Sequence, residues 1–107
     1  MNDLARLHCR PLEGHAAMSV EEICLHLKAA DGWAFIGGVI EKTFRFADYH
    51  RTMAFVNAVA WIAHREDHHP DIAFGYDRCT LRFETHSVGG ISLNDFICAA
   101  RVDALSA

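Results

Sequence analysis

Three of the eight histidines lie within six positions of one another, where the sequence reads His-Arg-Glu-Asp-His-His-Pro over residues 64–70. Imidazole titrates near neutral pH, so such a cluster suits either proton transfer or metal binding. His64 and His68 have the four-residue spacing of two ligands on one helix face. However, the His-Glu-x-x-His order of a zinc enzyme is absent, and no cysteine stands nearby. The cluster therefore favours proton transfer over zinc.

The two consecutive histidines, His68 and His69, are predicted to straddle the end of a helix. Pro70 must stop that helix, and the residue before a proline is pushed out of the helical region. We therefore expect His69 to be extended and His68 to lie near the last turn. The carbonyl end of a helix favours protonated histidine, and Asp67 adds a neighbouring negative charge. Two histidines that point in different directions can accept one proton and donate another.

Two further residues, His86 and Asp95, are candidates for the same chemistry. His86 ends a predicted strand before Gly89-Gly90, where a histidine is more typically just an exposed strand residue. Asp95 lies in the first turn of a predicted helix, and Ser92-x-x-Asp95 is a capping-box pattern that gives the carboxylate a structural role. Capping and support of a histidine are compatible, so both roles stay open for Asp95.

These residues must be positioned by alternating helices and strands. Helix starts are marked by capping residues, strands by apolar alternation, and the first hairpin by Gly37-Gly38. The resulting order is α-β-β-α-β-β-α. It predicts an α+β two-layer sandwich, a four-stranded antiparallel sheet with three helices on one face. The predicted helices cover residues 20–30, 48–67 and 93–105, and the predicted strands cover residues 33–36, 39–46, 72–75 and 79–86.

The second predicted helix, residues 48–67, is apolar on more than one side. Its main stripe runs from Tyr49 to Ala63, whereas Phe55 and Trp61 lie off that stripe. Such a helix is either central in the fold or also packs on a partner. The apolar fraction of 51% is generous for a domain that buries only about two-thirds of its unfolded-chain surface. Both features point to an oligomer.

Length and composition exclude several classes of protein. The 107 residues predict one domain, residues 19–107, after an irregular N-terminal arm, residues 1–18. The net charge of −4 argues against a general nucleic-acid or anionic-membrane binder. No Cys-x-x-Cys pair exists among the four cysteines, which excludes a zinc ribbon or thioredoxin-like site. No secretory signal is visible and the longest apolar stretch is too short to span a bilayer, so we expect a cytoplasmic protein with reduced thiols.

The spacing of the polar residues resembles the signature of a known enzyme family. From residue 64 to residue 95 the chain reads H-x3-H-H-P-x5-Y-x9-H-x8-D. This pattern resembles that of pterin-4a-carbinolamine dehydratase, also called 4a-hydroxytetrahydrobiopterin dehydratase, and the resemblance covers residues 19–105. The pattern consists of His64, His68, His69, Pro70, Tyr76, His86 and Asp95, and the segments Gly32-Trp33, Thr85-His86 and Gly90-Ile91-Ser92 agree with it.

The resemblance implies both a fold and a reaction. The family fold is an antiparallel four-stranded sheet with helices on one face, which agrees with the element order above. The implied activity is loss of water from 4a-hydroxytetrahydropterin to give quinonoid dihydropterin, which recycles tetrahydrobiopterin after aromatic amino acid hydroxylation. The resemblance also implies that no metal or organic cofactor is used, that the protein forms a dimer or tetramer, and that it serves a hydroxylase pathway.

The resemblance also assigns roles to individual residues. The catalytic residues are His68, His69, His86 and Asp95, with Asp95 as the carboxylate that supports the histidines. The substrate-binding residues are Asp67, Pro70 and His64, and His64 stands where the family commonly has an acidic residue. The chain departs from animal relatives at Ile72, which replaces an aromatic residue, and at Asn94, which replaces a basic one.

The chemistry of the reaction explains why histidines are needed. The C4a hydroxyl is a poor leaving group unless it is protonated as it departs, and the N5 proton must be removed as the new double bond forms. The reaction therefore needs a general acid and a general base that work near pH 7, and imidazole can serve as either. The sequence leaves open which histidine is the acid and which is the base.

A non-catalytic role is the alternative. Animal relatives also act as dimerisation cofactors of a transcription factor through helices that form a shared bundle, and the two-sided helix over residues 48–67 suits such contacts. A protein of the same fold that binds another pterin without dehydrating it is a further alternative. The same helix can instead form the protein's own oligomer, and this is the interpretation that we favour.

Overall fold

Four strands form one antiparallel sheet, and three helices pack against it in a computed structural model that describes residues 3–106. The predicted α+β class and element order are confirmed. The helices are α1 (Val20–Leu27), α2 (Tyr49–Glu66) and α3 (Leu93–Asp103), and the strands are β1 (Ala34–Ile36), β2 (Val39–Arg45), β3 (Asp71–Phe74) and β4 (Arg78–Phe83). Short 3-10 helices cover Asp3–Arg6, His86–Val88 and Ala104–Ser106.

The sheet has the strand order β1-β2-β4-β3, so the central pair β2 and β4 joins the two hairpins. Its register places Ile40 opposite Phe83. In the second hairpin Asp71, which begins β3, lies opposite Arg82 near the end of β4. The chain therefore enters β3 and leaves β4 at the same end of the sheet, so the segments carrying His69 and His86 meet there.

One face of the sheet is buried under the helices, because apolar side chains alternate along β2 and β4. Lys42 is the polar exception on this inner face. Its Nζ donates to Asp103 Oδ1 at 2.8 Å and to the carbonyl of Asp31 at 2.9 Å, and Trp33 Nε1 donates to Asp103 Oδ2 at 2.9 Å. The buried core includes Ile23, Ile40, Phe44, Phe55, Val59, Leu81, Phe83, Phe96 and Val102.

Both predicted capping boxes form. Ser19 Oγ accepts the N–H of Glu22, whose carboxylate accepts the N–H of Ser19, and Ser92 and Asp95 are paired in the same way at the start of α3. The predicted end of the first helix is wrong, because α1 stops at Leu27 rather than near residue 30. The chain continues from there in tight turns, in which the N–H groups of Ala29, Ala30 and Trp33 each reach a carbonyl three residues back.

The buried side of α2 differs from the predicted stripe. Phe55 is buried, whereas Tyr49 is 49% exposed. The difference arises at Thr52, whose hydroxyl lies 2.9 Å from the carbonyl of Tyr76 and 3.0 Å from that of Asp48. These bonds turn a polar position toward the sheet and rotate the stripe. At the end of the third predicted helix, Leu105 is also exposed rather than packed.

The N-terminal arm lies across the ends of α2 and α3, as far as the structure describes it, from residue 3. The N–H of Cys9 donates to Glu66 Oε1 at 2.7 Å, and the N–H of Met18 donates to the carbonyl of Ile91 at 2.8 Å. Arg101 donates to the carbonyl of Leu7. Within residues 3–106 no helix is long and apolar enough to cross a membrane.

Candidate active site

The end of α2 sets the directions of the side chains that follow it. Asp67 has φ +50°, the left-handed conformation that ends many helices and that Asp tolerates better than most residues. The N–H of His68 still reaches the carbonyl of Ala63 at 3.1 Å. After this reversal His68 turns inward, whereas His69 is exposed before Pro70. The two histidines therefore face different surroundings, as predicted.

His68 is bound to a fully buried carboxylate. Its Nε2 lies 2.6 Å from Asp95 Oδ1, and the Asp95 side chain has no solvent exposure. The His68 ring lies parallel to that of Phe83, with ring centroids 6.0 Å apart. A hydrogen bond this short and this buried fixes the orientation of the imidazole.

The other oxygen of Asp95 completes a buried network. Oδ2 accepts from Thr85 Oγ1 at 2.7 Å and from the N–H of Ser92 at 2.9 Å. Ser92 Oγ lies 2.7 Å from Thr85 Oγ1 and accepts the N–H of Asn94. Asp95 thus caps α3 and holds His68 at the same time, so the two roles that the sequence left open coexist.

His69 and His86 line one shallow cavity of about 110 Å³ at the sheet end where β3 begins. His86 Nδ1 lies 3.3 Å from Glu84 Oε1, and the His86 side chain is 93% exposed. Asp71 and Arg82 are further polar residues that line this cavity, and Val39 contributes an apolar side chain. These two imidazoles are available to a molecule from solvent.

A larger cavity of about 350 Å³ lies on the other side of the segment that carries His86. His68 and Asp67 line it from the end of α2, and Thr85 and Ser87 line it from the end of β4. His86 follows Thr85 directly, so the two cavities flank one short stretch of chain. The facing wall is made by residues 9–13 of the arm.

Five of the seven predicted site residues lie at the two cavities or in contact with a residue that lines one. His68 contacts Asp95, His69 and His86 share the smaller cavity, and Asp67 lines the larger one. The remaining two line neither cavity. His64 is exposed on α2, where its ring stacks on Trp61 at 5.8 Å, and Pro70 lies between the two histidines and β3.

Sequence reasoning missed the arm as part of this region. The missed contact is centred on Glu66, a side chain only 3% exposed that is bonded to the N–H of Cys9 and lies 2.9 Å from His8 Nδ1. Burial acts to raise the pKa of Glu66, but these hydrogen bonds and the charge of Arg101 hold it below its usual value. Residues 1–18 show no periodicity, so no sequence signal pointed to this contact.

The buried thiols are neutral packing groups. The hydrogen bond with Cys9, whose Sγ lies 3.5 Å away, and burial both raise the pKa of the Cys98 thiol far above its usual range. Burial also raises the pKa of Cys79. In residues 3–106 there is no group of three His, Cys, Asp or Glu side chains arranged to hold a metal ion.

Comparison with known proteins identifies the family. A family model described as pterin 4 alpha carbinolamine dehydratase matches residues 16–105. The chain belongs to this family. A Nitrosospira multiformis protein named "Putative pterin-4-alpha-carbinolamine dehydratase" is 54% identical over 106 residues, which cover 98% of this chain and 94% of that one. A Chromobacterium violaceum protein of the same name is 48% identical over 103 residues, covering 96% and 95%.

Two solved structures share the fold of this dehydratase-family chain. A transcriptional coactivator/pterin dehydratase from Brucella melitensis matches with a TM-score of 0.81 and 28% identity, covering 85% of this chain and 99% of that one. A pterin dehydratase-like protein, identified as a RuBisCO assembly factor in the alpha-carboxysome, matches with a TM-score of 0.58 and 29% identity, covering 69% and 86%. The family predicted from the histidine pattern is confirmed. Because these relatives are described by different roles, the function of this chain must be argued from its site.

Proposed function

We propose that this protein is a 4a-hydroxytetrahydropterin dehydratase. In this reaction the C4a–O bond breaks with its electron pair, and the hydroxyl takes a proton and leaves as water. N5 loses its proton, and the N5 electrons form the C4a–N5 double bond of the quinonoid dihydropterin. The observation that carries the proposal is the 2.6 Å pair of His68 and buried Asp95, beside two exposed histidines at the same end of the sheet.

His68 is the base in this proposal. A carboxylate only accepts hydrogen bonds, so the hydrogen between His68 Nε2 and Asp95 belongs to the imidazole. In the neutral imidazole the other ring nitrogen, Nδ1, then carries the lone pair, and it has no hydrogen-bond partner within residues 3–106. When Nδ1 takes the N5 proton, the imidazolium formed is already paired with Asp95 in a charge-assisted bond.

His69 and His86 supply the acid in this proposal. Both imidazoles are exposed and line the smaller cavity, whereas His68 lines the larger one, so in this proposal the substrate lies where the two cavities adjoin at residues 85–87. Histidine gains and loses protons near neutral pH, which suits repeated donation to a leaving hydroxyl. Glu84 Oε1, 3.3 Å from His86 Nδ1, can pair with the protonated ring.

The direct test follows the decay of freshly generated 4a-hydroxytetrahydropterin by absorbance, with and without catalytic amounts of the protein. We expect the wild type to accelerate the decay clearly and His86→Ala to be at least about tenfold slower than the wild type. A general acid or base contributes a rate factor of about 10²–10⁴. His50→Ala is the matched control, because His50 is an exposed histidine in the first turn of α2 and lines neither cavity. Folded wild-type protein that leaves the spontaneous decay unchanged would overturn the proposal.

An interaction role is the second candidate, and exposed aromatic side chains on α2 favour it. Trp61 is 61% exposed and Tyr49 is 49% exposed, although both lie on a well-packed helix. These two positions lie about 120° apart around the helix. We assign the exposed surface around Trp61 to the protein's own dimer or tetramer. Size-exclusion chromatography with light scattering tests the assignment by comparing the wild type with Trp61→Glu. The variant should have a lower molecular mass in solution because its oligomer dissociates. A monomeric wild type without dehydratase activity would instead favour a different protein partner.

A further inference from the structure

The N-terminal arm forms one wall of the larger cavity, which His68, the base of the proposed reaction, also lines. Cys9, Arg10, Pro11, Leu12 and Glu13 line that wall, whereas His68, Thr85 and Ser87 line the other. A molecule held against His68 in this cavity therefore faces the arm. The arm belongs to the site by position, although neither its composition nor its periodicity marked it.

The arm is held there by two buried polar side chains. Glu66, whose side chain is 3% exposed, accepts the N–H of Cys9 at 2.7 Å. Asn94, which is 8% exposed, makes two bonds with the backbone of Arg10: its Oδ1 accepts the N–H at 3.1 Å, and its Nδ2 donates to the carbonyl at 2.7 Å. Because Asn94 directly precedes Asp95, these bonds fix Arg10 relative to the carboxylate that holds His68.

The Arg10 guanidinium has N–H donors that are free to bind a ligand. It is exposed, and within residues 3–106 its guanidinium takes part in no hydrogen bond or ion pair, whereas its backbone is fully bonded to Asn94. A guanidinium has five N–H donors in a planar fork and suits a carbonyl or other acceptor on a flat ligand. Asp67 and Glu13, in the same cavity, supply acceptors for ring N–H groups.

We propose that Arg10 is a substrate-binding residue, which donates from the arm to the pyrimidinone carbonyl of the pterin ring while His68 faces the reacting carbon and nitrogen. This inference rests on the proposed dehydratase function and adds a specificity element to the same site. The pyrimidinone carbonyl is an acceptor flanked by ring N–H donors, which matches a guanidinium with carboxylates beside it. Arg10 acts on binding rather than on proton transfer, so its loss raises KM more than it lowers kcat.

The test is steady-state dehydration kinetics of Arg10→Ala, with Arg6→Ala as the matched control. Arg6 is an exposed arginine of the same arm that lines neither cavity. For Arg10→Ala we expect KM to rise about tenfold with kcat within about twofold, the loss of one hydrogen bond to a charged group. Arg10→Lys keeps the positive charge but lacks the planar fork of donors, so its KM should lie between that of the wild type and that of Arg10→Ala. Arg6→Ala should match the wild type.

A double-mutant cycle separates positioning from direct contact. Asn94→Ala removes both bonds to the Arg10 backbone, so it should raise KM, and Arg10→Ala should add less than tenfold in that background. Full additivity would overturn the link between Asn94 and Arg10.

The dissociation constant of dihydrobiopterin, measured by isothermal titration calorimetry, separates the two proposals. If the wild type is active and Arg10→Ala keeps both its KM and its dissociation constant, the arm inference fails and the dehydratase proposal stands. A folded wild type that neither binds nor dehydrates pterin overturns both.

Discussion

Replacing Asp95 by Asn tests how the capping and catalytic roles of one carboxylate divide. The Asp95 carboxylate accepts three hydrogen bonds, two on Oδ2 from Thr85 and Ser92 and one on Oδ1 from His68. An Asn side chain can keep the first two on its single oxygen. Its amide nitrogen then faces His68 Nε2 at the 2.6 Å contact and can only donate. His68 must therefore move its own proton to Nδ1, the atom that should accept the substrate proton.

The expected loss of kcat follows from the number of hydrogen bonds that the substitution removes. One hydrogen bond to a charged group is lost, worth about 1.5–3 kcal/mol. At about 1.4 kcal/mol per tenfold this lowers kcat by roughly 10- to 150-fold. The folded state exchanges the same charged bond for a neutral one and loses a carboxylate in the first turn of α3, which together cost about 1–3 kcal/mol. The melting temperature should therefore fall by roughly 4–24 °C for a domain of this size.

The assay combines the absorbance kinetics with thermal melting followed by circular dichroism. The chain supplies a matched control in its other capping box, where Glu22 stands in the position of Asp95 but is exposed, and its carboxylate is bonded, within residues 3–106, only to Ser19. Glu22→Gln should produce a smaller change in melting temperature and leave kcat unchanged. The reasoning is refuted if Asp95→Asn keeps kcat within about twofold of the wild type, or if Glu22→Gln loses as much activity.

Three further changes test other parts of the structure. His69→Ala should lower kcat at an unchanged melting temperature, because the side chain is exposed, and lost stability with retained activity would contradict its role. Glu66→Gln should be less stable than the wild type to urea at neutral pH. Because the folded-state pKa of Glu66 is lowered, the difference should vanish as the pH falls below the ordinary value of 4.5 and through that folded pKa, and a gap that persisted in acid would contradict this. Asp103→Ala leaves the Trp33 indole N–H without its acceptor and removes one of the two acceptors of Lys42, so urea unfolding should show a loss of about 2 kcal/mol in the free energy of unfolding with kcat intact.

Local signals in the sequence were sufficient for most of the fold. The capping boxes at Ser19 and Ser92 start helices where predicted, and α2 ends before Pro70 as expected. Long-range bonds decided the rest. The buried side of α2 depends on a bond from Thr52 to the carbonyl of Tyr76, 24 residues away, and no periodicity within the helix reports such a bond.

Some residues of the candidate site could likewise be predicted from the sequence, whereas others could not. His68 and Asp95 were predicted from the family pattern, and the structure places them in contact. The Thr85 hydroxyl on Asp95 has no signal of its own, because a threonine near a strand end fits many roles. Arg10 and Glu66 were missed since residues 57 and 84 positions apart in the chain make the contacts that hold the arm.

The position of the arm also bears on the order in which the molecule can be completed. Cys9 and Arg10 are synthesised before their partners Glu66, Asn94 and Cys98, which follow 57 to 89 residues later. Closing so long a loop costs entropy that only the finished partners can offset. A chain that has not yet completed α3 therefore lacks two of the partners that hold the arm beside His68.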